Sequence, residues 1–512
     1  MIEEISRQLE QLETASHHAW WNVAVTGEEK YIKELEKTKI AIRKLFSSKE
    51  NFQKLSSEKS SSDPLVERQR KILLNHYKEN QIPLDMIETI SRLEGDIESI
   101  YTNFRPVVDG KALSNNDLKT VLVESNDSDK RKQAWEASKI IGKKVEKDVL
   151  KLITLRNKTA YDAGFPDYYS MQLELQELDI NTLFDLLEKL DQMTTDLWDR
   201  YKKDLDQTLS QRFGILPEEM MPWHYQDPFF QEAPKQNLNL DTYYADKDIV
   251  AISSKFYNDI GLPADEILAR SDLFEREKKN QHAFCSCLDR KQDIRILCNI
   301  RPNEYWMGTT LHELGHAVYD KNIDQSLPYI LRTPSHVLTT EASAMLFGRY
   351  SKNGQFLHEY AGVDKEKANE INALSMRQTA ASLLVFCRWA LVMIHFERAM
   401  YQDPGENLNL IWWDLVERFQ KVSRVPERNE PDWASKLHLA CAPVYYQNYI
   451  LGEMFASQLL HQIRRMPLNQ IGSYLIPRLY KLGATLPWDK TIEASTGEML
   501  NPLYFAEDIK VL

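Results

Sequence analysis

The chain has 512 residues, of which 43% are hydrophobic and 27% are charged, and its formal net charge is -12. These proportions are close to those of soluble globular proteins and exclude long disordered or fibrous regions. The negative net charge also argues against binding to nucleic acid, because contacts with phosphate groups require a positively charged surface.

The first part of the chain is predicted to be helical. Apolar residues recur every three or four positions as far as about Ser47, with an interruption near Thr26 and Gly27, which predicts two antiparallel helices. Asp63 followed by Pro64 is typical of an N-cap and the first residue of a further helix. The N-terminus lacks the basic and apolar regions of a secretory signal, so we expect a cytoplasmic protein.

The middle of the chain combines long helix with a single β pattern. A helix is predicted over residues 129–164, and the proline-rich and aromatic-rich residues 217–262 are predicted to connect two lobes. Residues 282–288 and 294–300 flank a charged turn and predict a β-hairpin. The remaining third of the chain returns to helix, so the predicted fold class is mainly α.

Neither a membrane span nor a disulfide framework is predicted. The longest apolar stretch, residues 381–396, contains Arg388 and is too short and too charged to cross a bilayer. Five cysteines in so long a chain are consistent with free thiols in a reducing compartment. Cys285, Cys287 and Cys298 lack a fourth thiol or a suitably spaced histidine, so they do not predict a second metal site.

The segment His312-Glu-Leu-Gly-His316 carries the clearest chemical signal. Histidines four residues apart on a helix place both imidazoles on one face, where they can share one metal ion. Glu313 points beside that face, so it is placed to activate a water molecule and to carry the proton to a leaving amine. Because such short motifs also occur by chance in helical proteins, a third ligand is needed to support this interpretation.

Glu341 is the predicted third ligand. It lies 25 residues beyond His316 in a segment of apolar and small residues, where an unpaired buried carboxylate would be costly. A surface glutamate is the alternative interpretation, and His336, two residues after Pro334 in a predicted loop, is a secondary competitor. Three protein ligands and one open position are what a catalytic zinc site requires.

A second group of residues lies downstream, where Lys436 and His438 precede an aromatic run from Tyr445 to Tyr449. A histidine or tyrosine donor opposite the metal would stabilise the negative charge of a tetrahedral intermediate. Such clusters serve as core packing equally often, so the residues alone leave both interpretations open.

Taken together, these motifs resemble the angiotensin-converting-enzyme family, the peptidyl-dipeptidase A group of zinc peptidases. The resemblance covers nearly the whole chain and implies a two-lobed helical ellipsoid with a deep central substrate channel and the small hairpin beside the zinc. Residues 1–110 would be a helical lid region and residues 111–512 a catalytic body, within one peptidase domain overall. The segments that carry the resemblance are residues 19–26, 131–167, 281–283, 293–298, 312–316 with Glu341, and 486–488.

The resemblance also implies a role for each candidate residue. Glu313 would be the general base, and His438 and Tyr449 would stabilise the tetrahedral intermediate. One Zn²⁺ per chain would be the cofactor, and its ligands would be His312, His316 and Glu341.

Substrate binding is implied at two places. His282 and the backbone of Ala283 would line an edge strand to which an extended peptide adds as a further strand. Lys436, Tyr446 and Gln231 would bind the terminal carboxylate of the substrate.

The chain departs from the family at two informative positions. Asn448 stands where the family has an arginine that takes part in chloride binding, so chloride activation is not expected. Met345 stands where the family has an aspartate that supports a zinc-binding histidine, so another group must orient that imidazole. Residues 445–459 also resemble thermostable carboxypeptidases that carry the same zinc motif, and thimet-type oligopeptidases share the helical cleft plan.

We therefore predict a zinc metallopeptidase that hydrolyses short peptides and releases dipeptides from a free C-terminus. An oligopeptidase and a metallocarboxypeptidase are the alternatives on the same fold. An inactive peptide-binding scaffold is the alternative of a different class, and the intact metal set speaks against it. An acidic helical interaction protein would explain the composition but not the metal set. Peptides are the expected partners, with no role for nucleic acid or membrane, and the sequence does not determine the oligomeric state.

Overall fold

The computed structural model describes residues 1–234 and 238–512, the side chain of Leu84 excepted. It is 70% helical, and the described residues contain two small antiparallel sheets of two strands each. The prediction of a mainly α fold is confirmed.

The first half of the chain forms long helices and one minor hairpin. Its elements are α1 (Ile2–Thr26), α2 (Glu29–Phe46), α3 (Lys49–Ser57), α4 (Pro64–Glu79), α5 (Leu84–Asn103), β1 (Val107–Val108), β2 (Lys111–Ala112), α6 (Asn115–Glu124), α7 (Ser128–Asp162), α8 (Tyr168–Leu175), α9 (Ile180–Phe213), α10 (Asp241–Tyr244) and α11 (Ile249–Asp259).

The second half contains the predicted hairpin and the helices that carry the candidate site residues. Its elements are α12 (Asp265–Arg270), β3 (Phe284–Cys287), β4 (Ile294–Leu297), α13 (Glu304–Lys321), α14 (Val337–Gly348), α15 (Gly354–Ala361), α16 (Lys365–Gln402), α17 (Leu408–Leu415), α18 (His438–Cys441), α19 (Tyr446–Ile463), α20 (Ile471–Arg478), α21 (Trp488–Thr496) and α22 (Pro502–Ile509).

Local sequence signals explain several helix ends. Helix α1 ends at Gly27, whose positive φ of 64° suits glycine. Asp63 caps α4 by accepting hydrogen bonds from the backbone N–H groups of the first turn, and Pro64 is its first residue. Asn303 caps α13 through its side chain, which accepts from the N–H of Trp306. The start of α4 was predicted from the sequence.

The predicted hairpin is present, but its strands are shorter than the apolar pattern suggested. Strands β3 and β4 pair in register from Phe284 opposite Leu297 to Cys287 opposite Ile294. Beyond β4 the main chain bonds elsewhere, since the N–H of Cys298 donates to the carbonyl of Asp272 at 2.9 Å. This bond lies on the side of β4 away from β3, where Asp272 also donates to the carbonyl of Ile296.

The chain divides into two compact units, each assembled from separated segments. Unit 1 comprises Met1–Gln81, Asn237–Met376 and Leu451–Phe505, and unit 2 comprises Ile82–Gln236, Arg377–Ile450 and Ala506–Leu512. One change of unit falls within residues 217–262, where a connection was predicted. The assignment of residues 1–110 as a lid and 111–512 as a catalytic body stays a prediction.

Each unit has a well-buried interior around its candidate site residues. In unit 1, Leu311, Leu314 and Phe347 of helices α13 and α14 are fully buried. In unit 2, Trp135 and Trp389 are almost fully buried. Burial of such large apolar side chains is the main stabilising contribution to each interior.

Helix α16 is long and apolar enough to cross a membrane by length and composition alone. Its most apolar window of 18 residues has a mean hydropathy of 1.6, and 78% of that window is buried inside the protein. Buried core helices pass the same test, so this is weak evidence for a membrane span.

Candidate metal centre and substrate-binding residues

The two helices that carry the predicted metal ligands pack unusually closely in unit 1. A Cβ atom at Gly315 of α13 would lie 2.7 Å from the Cα of Ala344 and 2.9 Å from the carbonyl oxygen of Ser343, both in α14. Any larger residue at this position would push the helices apart. The glycine of the histidine motif therefore allows α14 to bring Glu341 to the two histidines.

The predicted ligands converge on one point. The Nε2 atoms of His312 and His316 each lie 3.9 Å from Oε2 of Glu341. The three side chains form a group whose ligand atoms all lie within 4.8 Å of one another, and it is the only such group of histidine, cysteine and acidic side chains among the described residues. Two imidazoles and a carboxylate are a donor set that catalytic zinc sites use.

Each imidazole is oriented by a hydrogen bond through its other nitrogen. Nδ1 of His316 lies 2.8 Å from the hydroxyl oxygen of Thr340, and His312 donates to the backbone carbonyl of Ala344. These contacts leave both Nε2 atoms facing Glu341. Thr340 and Ala344 thus supply the orienting groups that Met345 cannot. Their position near Glu341 on α14 is the sequence feature from which these contacts could have been predicted.

The electrostatics of this group favour a bound cation. Burial lowers the pKa of His312 to about 4 and that of His316 well below its usual value, so both rings are neutral and can offer a lone pair. Burial, together with the charge of Glu453, raises the pKa of Glu341 to about 7. Two neutral imidazoles and a carboxyl group that lacks a compensating charge fit a divalent metal ion.

Glu313 lies beside this group and faces strand β3. Burial and the charge of Glu341 raise its pKa to about 8, while the backbone N–H of Cys285 donates to its carboxylate and opposes that shift. A carboxyl group whose pKa is near neutrality suits a general base that must also release its proton. Glu313 is therefore placed as predicted, outside the three-ligand group.

The outer edge of β3 faces Glu313. The carbonyl of Ile296 accepts a hydrogen bond from the N–H of Asp272, on the side of β4 away from β3. Ile296 and its partner Cys285 therefore form a non-hydrogen-bonded pair. The N–H and carbonyl groups of Cys285 thus point outward from the hairpin. His282 and Ala283 immediately precede this strand, so the predicted peptide-binding residues lie at the start of that edge.

The residues predicted to bind a substrate carboxylate, Gln231, Lys436 and Tyr446, all belong to unit 2, and we call them the carboxylate anchor. Nζ of Lys436 donates to Oε1 of Gln231 at 2.8 Å, so the structure brings these two predicted residues together. Burial lowers the pKa of Lys436 to about 8, and the charges of Asp227 and Glu232 oppose that shift. The buried carboxylate of Asp227 accepts hydrogen bonds from the N–H groups of Phe229, Gln231 and Glu232 and so holds the loop of Gln231 in place.

Tyr446 lies near Lys436, and its hydroxyl proton is available to donate a hydrogen bond. The indole N–H of Trp389 donates to the hydroxyl oxygen of Tyr446 at 2.7 Å. Because an indole nitrogen only donates, the hydroxyl proton of Tyr446 is left to donate to another acceptor. Nζ of Lys436 lies 5.7 Å from the centre of the Tyr446 ring, which places both donors in one region.

The rings of the two predicted oxyanion donors, His438 and Tyr449, both lie close to the ring of Tyr446. The ring centres of His438 and Tyr446 are 5.3 Å apart, and those of Tyr446 and Tyr449 are 5.5 Å apart. Burial and the neighbouring charge of Lys436 lower the pKa of His438 to about 4, so its ring is neutral. The structure therefore groups Lys436, His438, Tyr446 and Tyr449 within unit 2, as the resemblance implied.

His336 is not part of the metal-binding group. It is the N-cap of α14, and its Nδ1 accepts a hydrogen bond from the N–H of Leu338 at 3.1 Å. This capping role explains a histidine at that position. Sequence reasoning did not find Asp227, Trp389 or the N–H of Cys285, since backbone contacts and distant side-chain contacts leave no motif.

The chain is similar to two families of known peptidases. Residues 1–224 match the family model of angiotensin-converting enzyme, and residues 266–511 match peptidase family M3. The angiotensin-converting enzyme-like protein Ace3 of the mouse, Mus musculus, is 21% identical over 474 residues, which cover 83% of this chain and 63% of that protein. The chain thus spans less than two thirds of the length of this relative. These matches support a metallopeptidase of the type formed by angiotensin-converting enzyme and peptidase family M3.

Proposed function

We propose that the protein binds one Zn²⁺ through His312, His316 and Glu341 and hydrolyses peptide bonds with Glu313 as general base. The observation that carries this proposal is the convergence of two neutral imidazoles and a carboxylate within 4.8 Å, with a separate buried glutamate beside them. When bound, zinc supplies Lewis acidity toward the scissile carbonyl and toward water. The protein's own groups supply the proton transfers.

The role of Glu313 follows from its pKa and its surroundings. As a carboxylate it takes a proton from the attacking water, and its raised pKa of about 8 lets it hold that proton until the leaving amine accepts it. The N–H of Cys285 orients the carboxylate during both steps. We assign stabilisation of the developing negative charge to His438 and Tyr449, on the basis of the family resemblance.

For the cleavage mode, we propose release of dipeptides from a free C-terminus. The support is the grouping of Lys436, Gln231 and Tyr446, which offers an ammonium group and a hydroxyl proton to a carboxylate. The outward main-chain groups of β3 support pairing with an extended peptide near His282 and Ala283.

Product analysis tests the cleavage mode. A defined mixture of peptides of five to fifteen residues is incubated with and without a chelator, and the products are identified by mass spectrometry. We expect products shortened by two C-terminal residues, and only without chelator. Products shortened by one residue would instead indicate a carboxypeptidase.

The Glu313→Gln variant tests the mechanism and the scaffold alternative together. We expect normal zinc content and a loss of hydrolysis of about 100-fold or more, because one positioned acid–base group contributes that much. Glu359→Gln, an exposed substitution in α15, is the matched control and should leave the rate unchanged. Full activity of Glu313→Gln would contradict the mechanism, and a zinc-bound wild type without activity would favour the scaffold.

An oligopeptidase is the second candidate function. The match to peptidase family M3 supports it, since residues 266–511 contain every predicted metal ligand and the segment from Lys436 to Tyr449. Internal fragments in the product analysis, formed equally from free-acid and amidated peptides, would favour this alternative.

We further propose that the protein acts on short peptides in the cytoplasm, without nucleic acid or membrane. All five cysteines are free thiols, which supports a reducing compartment. Fractionation of cells that express the tagged full-length chain tests the location, and recovery in the membrane or secreted fraction would contradict it.

A further inference from the structure

Val444 has an unusual backbone conformation for a β-branched residue. It lies between His438 and Tyr449, has a φ of 51°, and is fully buried. A left-handed conformation at valine is strained, and it persists only where the surrounding structure over-determines it. The contacts of Val444 should therefore show what imposes this conformation.

Side chains bond both main-chain groups of Val444. Its N–H donates to Oε1 of Glu397 at 2.7 Å, and its carbonyl accepts from Nε2 of Gln176 at 3.1 Å and from Nε2 of Gln447 at 2.6 Å. Oε1 of Gln176 lies 3.3 Å from both Nε2 of Gln447 and Nδ2 of Asn448, which donate to it. The strained residue is thus fixed by groups on α16, at the end of α8 and on α19.

The position of Val444 connects this arrangement to the candidate site. Helix α19 begins two residues later at Tyr446, so the backbone at Val444 sets the direction of the first turn, which carries Tyr446 and Tyr449. Upstream, the guanidinium of Arg156 donates to the carbonyl of Ala440 at 2.6 Å and to that of Leu439 at 3.4 Å. The segment is therefore held at two places, both away from the side chains assigned to substrate.

We propose that Glu397 and Gln176 are positioning residues that hold Val444 in its left-handed conformation and thereby set Tyr446 and Tyr449 for the reaction. The kinetic part of this inference depends on the proposed function, because that function assigns the tyrosines to substrate. Neither positioning residue is assigned any contact with the substrate or with zinc.

Two substitutions at Glu397 test its hydrogen bond to the N–H of Val444. Glu397→Gln keeps an oxygen that can accept from the N–H of Val444, whereas Glu397→Leu removes the acceptor. We expect Glu397→Leu to lower kcat/KM for a free-acid peptide by about 10- to 100-fold, since small misplacements of positioned groups have effects of that size. Glu397→Gln should remain within about threefold of wild type.

A second pair of variants tests the carbonyl side and the effect of general destabilisation. Gln176→Glu keeps the acceptor for Asn448 but loses the donor to Val444, so it should resemble Glu397→Leu. Gln458→Leu is the matched control, because Gln458 is a fully buried amide of α19 that accepts from the N–H of Asn501 at 3.0 Å. It should lower Tm without changing kcat/KM.

Amide hydrogen exchange gives a readout that does not need activity. We expect faster exchange over residues 437–449 in Glu397→Leu and Gln176→Glu, and wild-type exchange there in Glu397→Gln and Gln458→Leu. Wild-type exchange and kcat/KM in Glu397→Leu, at the same loss of Tm as in Gln458→Leu, would overturn the inference. If the wild type cleaves no peptide while Glu397→Leu still exchanges faster, the proposed function fails and the structural part of the inference stands.

Discussion

The two groups of candidate residues are held in place by different physical means. The metal ligands of unit 1 lie on two regular helices, and helical spacing plus one close approach at Gly315 fixes their geometry. The segment from Lys436 to Tyr449 in unit 2 has irregular backbone around Val444, and bonds between side chains and backbone hold it. The first arrangement can be inferred from a short motif, whereas the second depends on residues 47 and 268 positions away along the chain. Four predictions test this difference.

The largest effect is expected from Gly315→Ala. The added Cβ would meet the backbone of α14 at 2.7 Å, and backbone cannot yield as a flexible side chain would. The helices must separate, so we expect zinc binding and activity to fall to background, as measured by metal analysis and peptide hydrolysis. Gly95→Ala in α5 is the control, because a Cβ there meets nothing within 4 Å, and normal zinc content in Gly315→Ala would refute the close-packing argument.

A smaller effect is expected from Thr340→Val, which keeps the shape of the side chain but removes the oxygen bonded to His316. Loss of such an orienting group typically weakens metal affinity by about 10- to 100-fold. Competition with a fluorescent chelator measures this affinity. Thr339→Val on the same helix is the comparison, since its hydroxyl is assigned no contact with either imidazole, and equal losses in both variants would argue against a specific role for Thr340.

In unit 2, Lys436→Met should separate peptides by their C-termini. We expect KM for free-acid peptides to rise by about 10- to 100-fold, the size of one lost hydrogen bond to a charged group, with little change for amidated peptides. Lys139→Met is the control, because Lys139 is also a buried lysine over the Phe229 ring but is assigned no bond to Gln231. An equal effect on both kinds of peptide would contradict the anchor.

The smallest effect on activity is expected from Lys139→Met, which should instead change the pH dependence of stability. Burial lowers the pKa of Lys139 to about 7 from its usual 10.5, with Asp432 and Asp227 opposing the shift and Arg428 and Lys436 adding to it. At pH values between about 7 and 10.5, Lys139 is protonated in the unfolded chain and neutral in the folded chain. The free energy of unfolding should therefore rise with pH, by at most about 1.4 kcal/mol per pH unit from this group.

The measurement compares denaturant unfolding of the two proteins at pH 7 and pH 9. Wild type should gain stability relative to Lys139→Met as the pH rises, because the variant lacks this titration. A difference between the two proteins that stays constant over this range would show that Lys139 keeps its proton when buried.

The sequence predicted the parts of the molecule that local rules govern. Helical spacing, the Asp63 cap and the hairpin pattern were sufficient to predict the main elements, and the spacing of His312 and His316 predicted their shared face. The shorter strands were not predictable, because the apolar pattern continues past Leu297, where pairing with β3 ends. Nor were the partners of Val444, since no local pattern connects Gln176 and Glu397 to a turn that lies far along the chain.

Under the proposed function, the outer edge of β3 has a consequence for which substrates the protein can cleave. The strand is four residues long and offers pairing over about 13 Å at 3.3 Å per residue. A substrate that pairs there must already be extended and must have its own main-chain groups free of other hydrogen bonds. Folded proteins satisfy neither condition over most of their length, so the edge would act as a conformational filter. Such an enzyme would not cleave the intact folded proteins of its compartment, whatever their sequence.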